Sequence, residues 1–174
     1  MTIVVGLSGK ARSGKNSVYF LSKILFDEDD TGKVRKVAFA DALKRMARDG
    51  GWNGIKDEEG RILLQDLGME KRKDDENYWV RQAETMILGI SAKYEPLIIF
   101  VTDCRFPNEL AMLKRIGAKV WRVRRPVIEP SQTDLHPSET ALDSYKDWDS
   151  IIVANDMTEL FEQVKANLRR LGLL

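Results

Sequence analysis

Near the start of the chain, Gly9 and Gly14 are separated by Lys10, Ala11, Arg12 and Ser13, and Lys15 follows directly. Glycines at this spacing let backbone N–H groups curl around phosphate oxygens, and a helix beginning there adds its partial positive charge. The lysine of such a loop reaches the terminal phosphates of a bound triphosphate. The context agrees: apolar residues 2–7 read as a strand, and Val18, Leu21 and Leu25 fall on one face of a following helix. One position departs from the usual pattern. Asn16 stands where a hydroxyl ordinarily binds Mg²⁺, and Ser17 carries a hydroxyl one residue later. An Asn16 carbonyl holding a metal-bound water and a direct Ser17 contact are both open. Arg12 adds charge near the phosphates or is solvated.

Further charged residues follow other apolar runs. Asp103 and Arg105 come at the end of residues 97–102. In open parallel sheets ligands bind at the carboxyl ends of strands, so this pair is expected to face the glycine loop. Asp103 can hold a metal through water or orient an acceptor phosphate, and Arg105 can clamp that phosphate bidentately. Asp41 follows residues 34–39, with Lys44 and Arg45 one turn on, and suits either a site or an N-cap. Arg122 and Arg124 share one side of the next run by alternation. Arg124 is expected near the migrating phosphoryl group, and Arg125 has no assigned role. The single histidine, His136, sits in a loop and reads as exposed.

These residues need a scaffold. Five short Val- and Ile-rich segments, 2–7, 34–39, 97–102, 119–123 and 150–154, alternate with helical patterns. Such runs suit strands buried on both faces, so the expected class is α/β with a central parallel sheet. The helical faces are Val80, Ala83, Ile87 and Ile90; then Leu110 and Leu113 after Pro107; then Leu160, Phe161, Val164 and Leu168. Gly117 is expected to end the second of these. The charge-rich stretches 27–33 and 68–77 read as exposed connections. Residues 126–140 carry three of the five prolines and lack a long apolar period, as a lid does.

The chain has 174 residues, enough for a single domain with a real core. Its 28 Lys and Arg against 27 Asp and Glu argue against a dedicated nucleic-acid binder. Cys104 is the only cysteine, so no internal disulfide forms and a reducing compartment is expected. The apolar start is too short for a signal peptide, and no run approaches the ~20 residues of a membrane helix. A soluble, cytoplasmic protein is expected.

Together these segments resemble the bacteriophage-type deoxynucleoside monophosphate kinases. The likeness rests on GKARSGKNS, FADALKR, LLQDLG with YWVRQ, TDCRFPNE with RVRRP, HPSETALD and WDSIIVANDMTEL, in that order along nearly the whole chain. It implies a P-loop kinase three-layer sandwich with strand order 2-3-1-4-5 and a short lid. It implies transfer of the γ-phosphoryl of ATP to a deoxynucleoside monophosphate with Mg²⁺, and at family level a homodimer. Gly9 to Ser17 would bind ATP phosphates, and Asn155, Asp156, Met157 and Thr158 would border adenine. The acceptor region, about 41–95, would use Asp41, Lys44, Trp79, Arg81 and Gln82. Trp79 would stack on the acceptor base or belong to the core. Asp103 and Arg105 would sit at the reaction centre, with Arg124, Ser138 and Glu139 on the lid or acceptor side. The family usually has an acid and then a threonine after the loop lysine; Asn16 and Ser17 stand there instead. Two rival readings are a kinase for another small phosphorylated acceptor, such as phosphomevalonate, and a nucleotide-binding switch without transfer activity.

Overall fold

The computed structural model describes residues 2–26, 32–55, 57–94, 97–126 and 137–174. Five strands, β1 (Ile3–Ser8), β2 (Val34–Val37), β3 (Ile98–Cys104), β4 (Lys119–Arg124) and β5 (Ser150–Val153), form one sheet in the order β2-β3-β1-β4-β5. Every neighbouring pair is parallel, with Val5 opposite Phe100 and Ser8 opposite Arg122. The expected class and strand order are therefore the observed ones.

The strand period of two sorts the core into two layers. Val5, Leu7, Ile98, Phe100, Trp121 and Val123 pack on one face, against Val18 and Leu21 of α1 (Lys15–Phe26) and Leu160, Val164 and Leu168 of α7 (Met157–Arg170). Ile99, Val101 and Val120 pack on the other. There they meet Val80, Ala83 and Ile87 of α4 (Tyr78–Tyr94) and Leu110 and Leu113 of α5 (Pro107–Arg115). The functional groups sit where β1, β3 and β4 end.

Two expectations on element ends are corrected. The run 34–39 does not stay extended: β2 ends at Val37, and Phe39 opens α2 (Phe39–Asp49). Three acceptors draw the chain into a helix there. The Asp41 carboxylate takes the Ala38 N–H at 2.8 Å, and the Asp103 carboxylate takes those of Phe39 and Ala40 at 2.7 and 3.0 Å. The otherwise orphaned donors of the first turn are thus satisfied, and the negative charges complement the helix dipole.

The connection expected over 68–77 is helical as far as Asp74, as part of α3 (Glu58–Asp74). Asp57 caps this helix by accepting from the Gly60 N–H at 2.8 Å. Glu58 and Glu59 lie in its first turn and Lys71, Arg72 and Lys73 in its last, the order the dipole favours. Residues 27–31 lie outside the described residues. So do 127–136, which hold most of the expected lid and His136. Among the described residues, no helix is long and apolar enough to cross a membrane.

Candidate active site

The glycine loop runs from the end of β1 into α1. Gly9 and Gly14 have φ of 150° and 101°, in a region side-chain-bearing residues rarely adopt. A Cβ on Gly9 would run into the Val123 carbonyl oxygen of β4, so the loop lies close against the backbone near the end of that strand. Arg12 also takes a positive φ, 62°, and is the only non-glycine among the described residues to do so. The Lys15 side chain folds back under the loop. Its ammonium donates to the Gly9 and Lys10 carbonyls, each at 2.6 Å.

The loop forms one wall of a cleft of about 500 Å³, within the size range of ligand sites. Lys36, Lys44, Arg105 and Arg125 line the cleft with Arg12 and Lys15; among its lining residues Asp103 is the single acid. Burial, then the nearby Arg105 charge, pulls the Lys15 pKa down to about 7. Such a cleft suits a polyphosphate, whose charge restores what the crowded cations lack.

Asp103 and Arg105 stand at the end of β3, beside the loop, where the strand reading placed them. Both carboxylate oxygens of Asp103 are already engaged by the α2 amides. Burial pushes its pKa above the ordinary value, against the pull of those amides and of Arg105. Arg105 faces the cleft with one side. With Nη1 it holds the Glu139 carboxylate and approaches the Ser138 carbonyl and hydroxyl at 3.3 and 3.4 Å.

A second, smaller cleft of about 180 Å³ opens beyond Asp103 and shares Ala40, Lys44, Asp103 and Arg105 with the first. Phe39, Leu64, Met69, Trp79 and Phe106 give it apolar walls, and Gln65, Arg72 and Ser138 its polar points. Trp79 lies in the core and at the cleft wall at once. It walls the cleft, but it is 2% exposed and its indole N–H donates to the Gly68 carbonyl at 3.1 Å. The Arg72 guanidinium lies 4.4 Å over the Phe106 ring and 3.3 Å from Glu109 Oε1. Glu109 also accepts the Arg105 and Phe106 N–H groups, at 2.7 and 3.1 Å. Burial, followed by the Asp103 charge, pushes its carboxyl up to about 7.

Several expected site residues lie elsewhere. Arg81 and Gln82 are exposed on α4 and line neither cleft; Arg81 pairs with Asp75. Their positions follow from the helix period, since Val80 and Ala83 are buried and turn the residues between them outward. Asp41 is not the N-cap of α2, which is Ala38, but its third residue; it accepts the Ala38 N–H and sits 3.7 Å from Lys44, and of the two only Lys44 lines the clefts. Ser138 lines the second cleft. Glu139, on the short α6 (Pro137–Thr140), is buried behind the wall and lines neither.

Arg124 opens not into the loop cleft but into a neighbouring groove of about 470 Å³, with Lys10, Ser13 and Val153. Arg125 lines both. Arg122 is buried, bonded to Ser8 Oγ at 3.0 Å and Asp143 Oδ1 at 2.6 Å. Asn155 to Thr158 form the exposed cap of α7, where Asp156 accepts from the Glu159 N–H at 2.9 Å. They lie just past Val153 of the groove but do not line it. Gln65, Arg72, Phe106 and Glu109 were not singled out from sequence. The LLQDLG and FPNE segments held three of them, but without helix α3 nothing aimed Gln65 or Arg72 at a cleft.

Asn16 and Ser17 both line the loop cleft, Ser17 half-buried and Asn16 exposed. Among the described residues, no three His, Cys, Asp or Glu gather as a metal cage. Ser17, Asn16 and Asp103 each offer oxygen to the loop cleft, the donor type a hard cation such as Mg²⁺ takes alongside waters and phosphate oxygens.

A parallel sheet in this order, with a glycine loop closing over a buried lysine at the start of α1, defines a P-loop kinase. The fold resembles a shikimate kinase from Bacteroides thetaiotaomicron, with a TM-score of 0.51 at 12% identity over 98% of this chain and 99% of that one. The sequence profile described as deoxynucleotide monophosphate kinase matches residues 52–164, and the chain belongs to that family. The glycine loop lies outside the matched range and stands on its own geometry. Two viral proteins are similar along most of the chain. One is "Uncharacterized protein ORF77" of Ictalurid herpesvirus 1 (strain Auburn), 32% identical over 161 residues. That match covers 88% of this chain and only 64% of the relative's length. The other is a "Putative deoxynucleotide monophosphate kinase" of Acanthamoeba polyphaga mimivirus, 25% identical over 190 residues, covering 91% and 92%.

Proposed function

We propose that the chain transfers the γ-phosphoryl group of ATP to a deoxynucleoside monophosphate, giving ADP and the diphosphate. The observation that carries this is the meeting of the two clefts at Lys44, Asp103 and Arg105. One cleft offers a phosphate loop and the other apolar walls with a few polar points, so a donor phosphate and the phosphate of a flat base-bearing acceptor come together at Arg105. The groove of Lys10, Arg124 and Val153 takes the adenosine of ATP, with residues 155–158 at its margin. The loop amides and Lys15 hold the β- and γ-phosphates, and Arg105 and Arg125 surround the migrating group. Ser17, Asn16 and Asp103 would hold Mg²⁺, which supplies further charge neutralisation when bound. The acceptor phosphate oxygen is already ionised. It attacks the γ-phosphorus as the bond to the β–γ bridging oxygen breaks, and no general base is needed. Alignment and charge are what the protein contributes.

Acceptor-dependent ADP formation with dAMP, dCMP, dGMP and dTMP tests this reading. Wild type is expected to use at least one of them, and activity with none would sink the proposal. Gln65→Ala should reorder kcat/KM among the acceptors, because Gln65 is a polar residue on the cleft lining. Gln82→Ala should leave each value within about twofold, as for surface substitutions away from a site. The opposite pattern would move base recognition to the outer face of α4.

Lys15 yields a separate expectation. With a pKa near 7 in the free protein, it is mostly neutral at pH 8. Bound phosphates favour the ammonium, so ATP binding at pH 8 should be accompanied by proton uptake, and affinity should fall as pH rises above 7. Calorimetry in buffers of different ionisation enthalpy reads this directly. Binding without proton uptake would mean that Lys15 is already charged in the free protein.

A further inference from the structure

We infer that Glu139 is a positioning residue that fastens the donor-phosphate loop to the acceptor-binding arginine. The inference rests on the kinase reading for the roles of the two parts it joins. Its carboxylate divides its work. Oε2 accepts the N–H of Ala11, within the glycine loop, at 2.6 Å. Oε1 takes Nη1 of Arg105, at the end of β3. Ala11 and Arg105 both line the loop cleft, and Glu139 lines neither cleft. Its side chain is 5% exposed, against 29% for Arg105. Glu139 therefore reaches substrate only through its two partners, and the acceptor contact expected of it passes to Arg105 and Ser138.

The arrangement solves a problem of charge. Arg105 shares its cleft with five other basic side chains, and one acid lines the same wall. A guanidinium pushed by that field would swing toward solvent. A carboxylate behind the wall holds one edge of the fork and leaves the rest facing the cleft. The same carboxylate pins Ala11, so the loop and the arginine keep a fixed separation. Group transfer needs that separation to be set before substrates arrive.

Two substitutions at Glu139 divide the roles. In Glu139→Gln the amide oxygen can still accept from Ala11, while its NH₂ faces Arg105 and cannot pair with it. Glu139→Ala loses both bonds. Calorimetric titration with ATP alone and with the four deoxynucleoside monophosphates alone reads binding without turnover. Glu139→Gln is expected to keep ATP affinity within about threefold and to weaken the monophosphates about tenfold. Glu139→Ala should weaken ATP about tenfold as well. A double-mutant cycle with Arg105→Lys provides the readout that a general loss of packing would not move. The effect of Glu139→Gln on monophosphate affinity should shrink to about twofold or less in the Arg105→Lys background. Full additivity, or equal losses of ATP and monophosphate in Glu139→Gln, would overturn the inference. These binding arms report on the bridge even if no phosphoryl transfer is seen, which would count against the kinase reading alone. Glu139→Gln preserves side-chain volume, so the test stands even if Glu139→Ala fails to fold.

Discussion

Lys15→Ala is expected to lower turnover by on the order of a thousandfold or more, the scale of removing a preorganised charge contact from a transition state. The protein should remain folded. Lys15 is buried and its pKa is depressed to about 7, so in the free protein the ammonium is a cost of folding. The sign follows from proton binding. Between pH 7 and the ordinary lysine value the unfolded chain binds more protons at this residue than the folded one, so stability rises with pH across that window. Alanine removes this dependence, and it also leaves the Gly9 and Lys10 carbonyls without their partner. A melting temperature within about 5 °C of wild type is expected. A folded variant with near-normal turnover would remove the loop from the mechanism.

Arg105→Lys carries the second large effect. Arg105 lines both clefts and uses Nη1 to hold Glu139 and approach Ser138. Its remaining donors are available for an acceptor phosphate in a planar fork. Lysine keeps the positive charge beside Glu139, so the buried carboxylate is not left alone, but the fork is lost. The expected loss is about 1.5–3 kcal/mol in acceptor use, or roughly ten- to hundredfold in kcat/KM. ATP affinity measured without acceptor should stay near wild type. A collapse of ATP binding would place Arg105 on the donor side, and unchanged kinetics would remove it from the site.

The parts of this site carried by the sheet were legible in the sequence, and the parts carried by α3 were not. Buried parallel strands announce themselves as Val and Ile runs, and the residues just past the end of a run mark the ligand edge. Asp103 and Arg105 were found in that way, and Gly9 and Lys15 by the spacing of the glycine loop that follows the first run. Arg124 shows where the rule ends. Alternation holds only inside a strand, and the residue that turns into the loop cleft is Arg125, one step past β4. Helix α3 left a weak trace because its fully buried residues are Gly60 and Gly68, while Ile62 and Leu63 are exposed. Its apolar residues serve a cleft rather than the core, so a reading tuned to core faces passes over Leu64, Gln65 and Arg72. For Trp79 and Asp41, sequence supplied both candidate roles, and only geometry could weigh them. Asp41 is held by the Ala38 amide, and Trp79 is core and wall at once.

The central claim is that the two clefts meet so that phosphate passes directly from one bound nucleotide to the other. Incubation of the wild-type chain with γ-labelled ATP, Mg²⁺ and each deoxynucleoside monophosphate in turn, with separation of the products, tests it most directly. The predicted result is label in a deoxynucleoside diphosphate, formed in equal amount with ADP and absent when Lys15 is alanine. Label recovered only as inorganic phosphate, or transferred to phosphomevalonate and to no deoxynucleoside monophosphate, would contradict it.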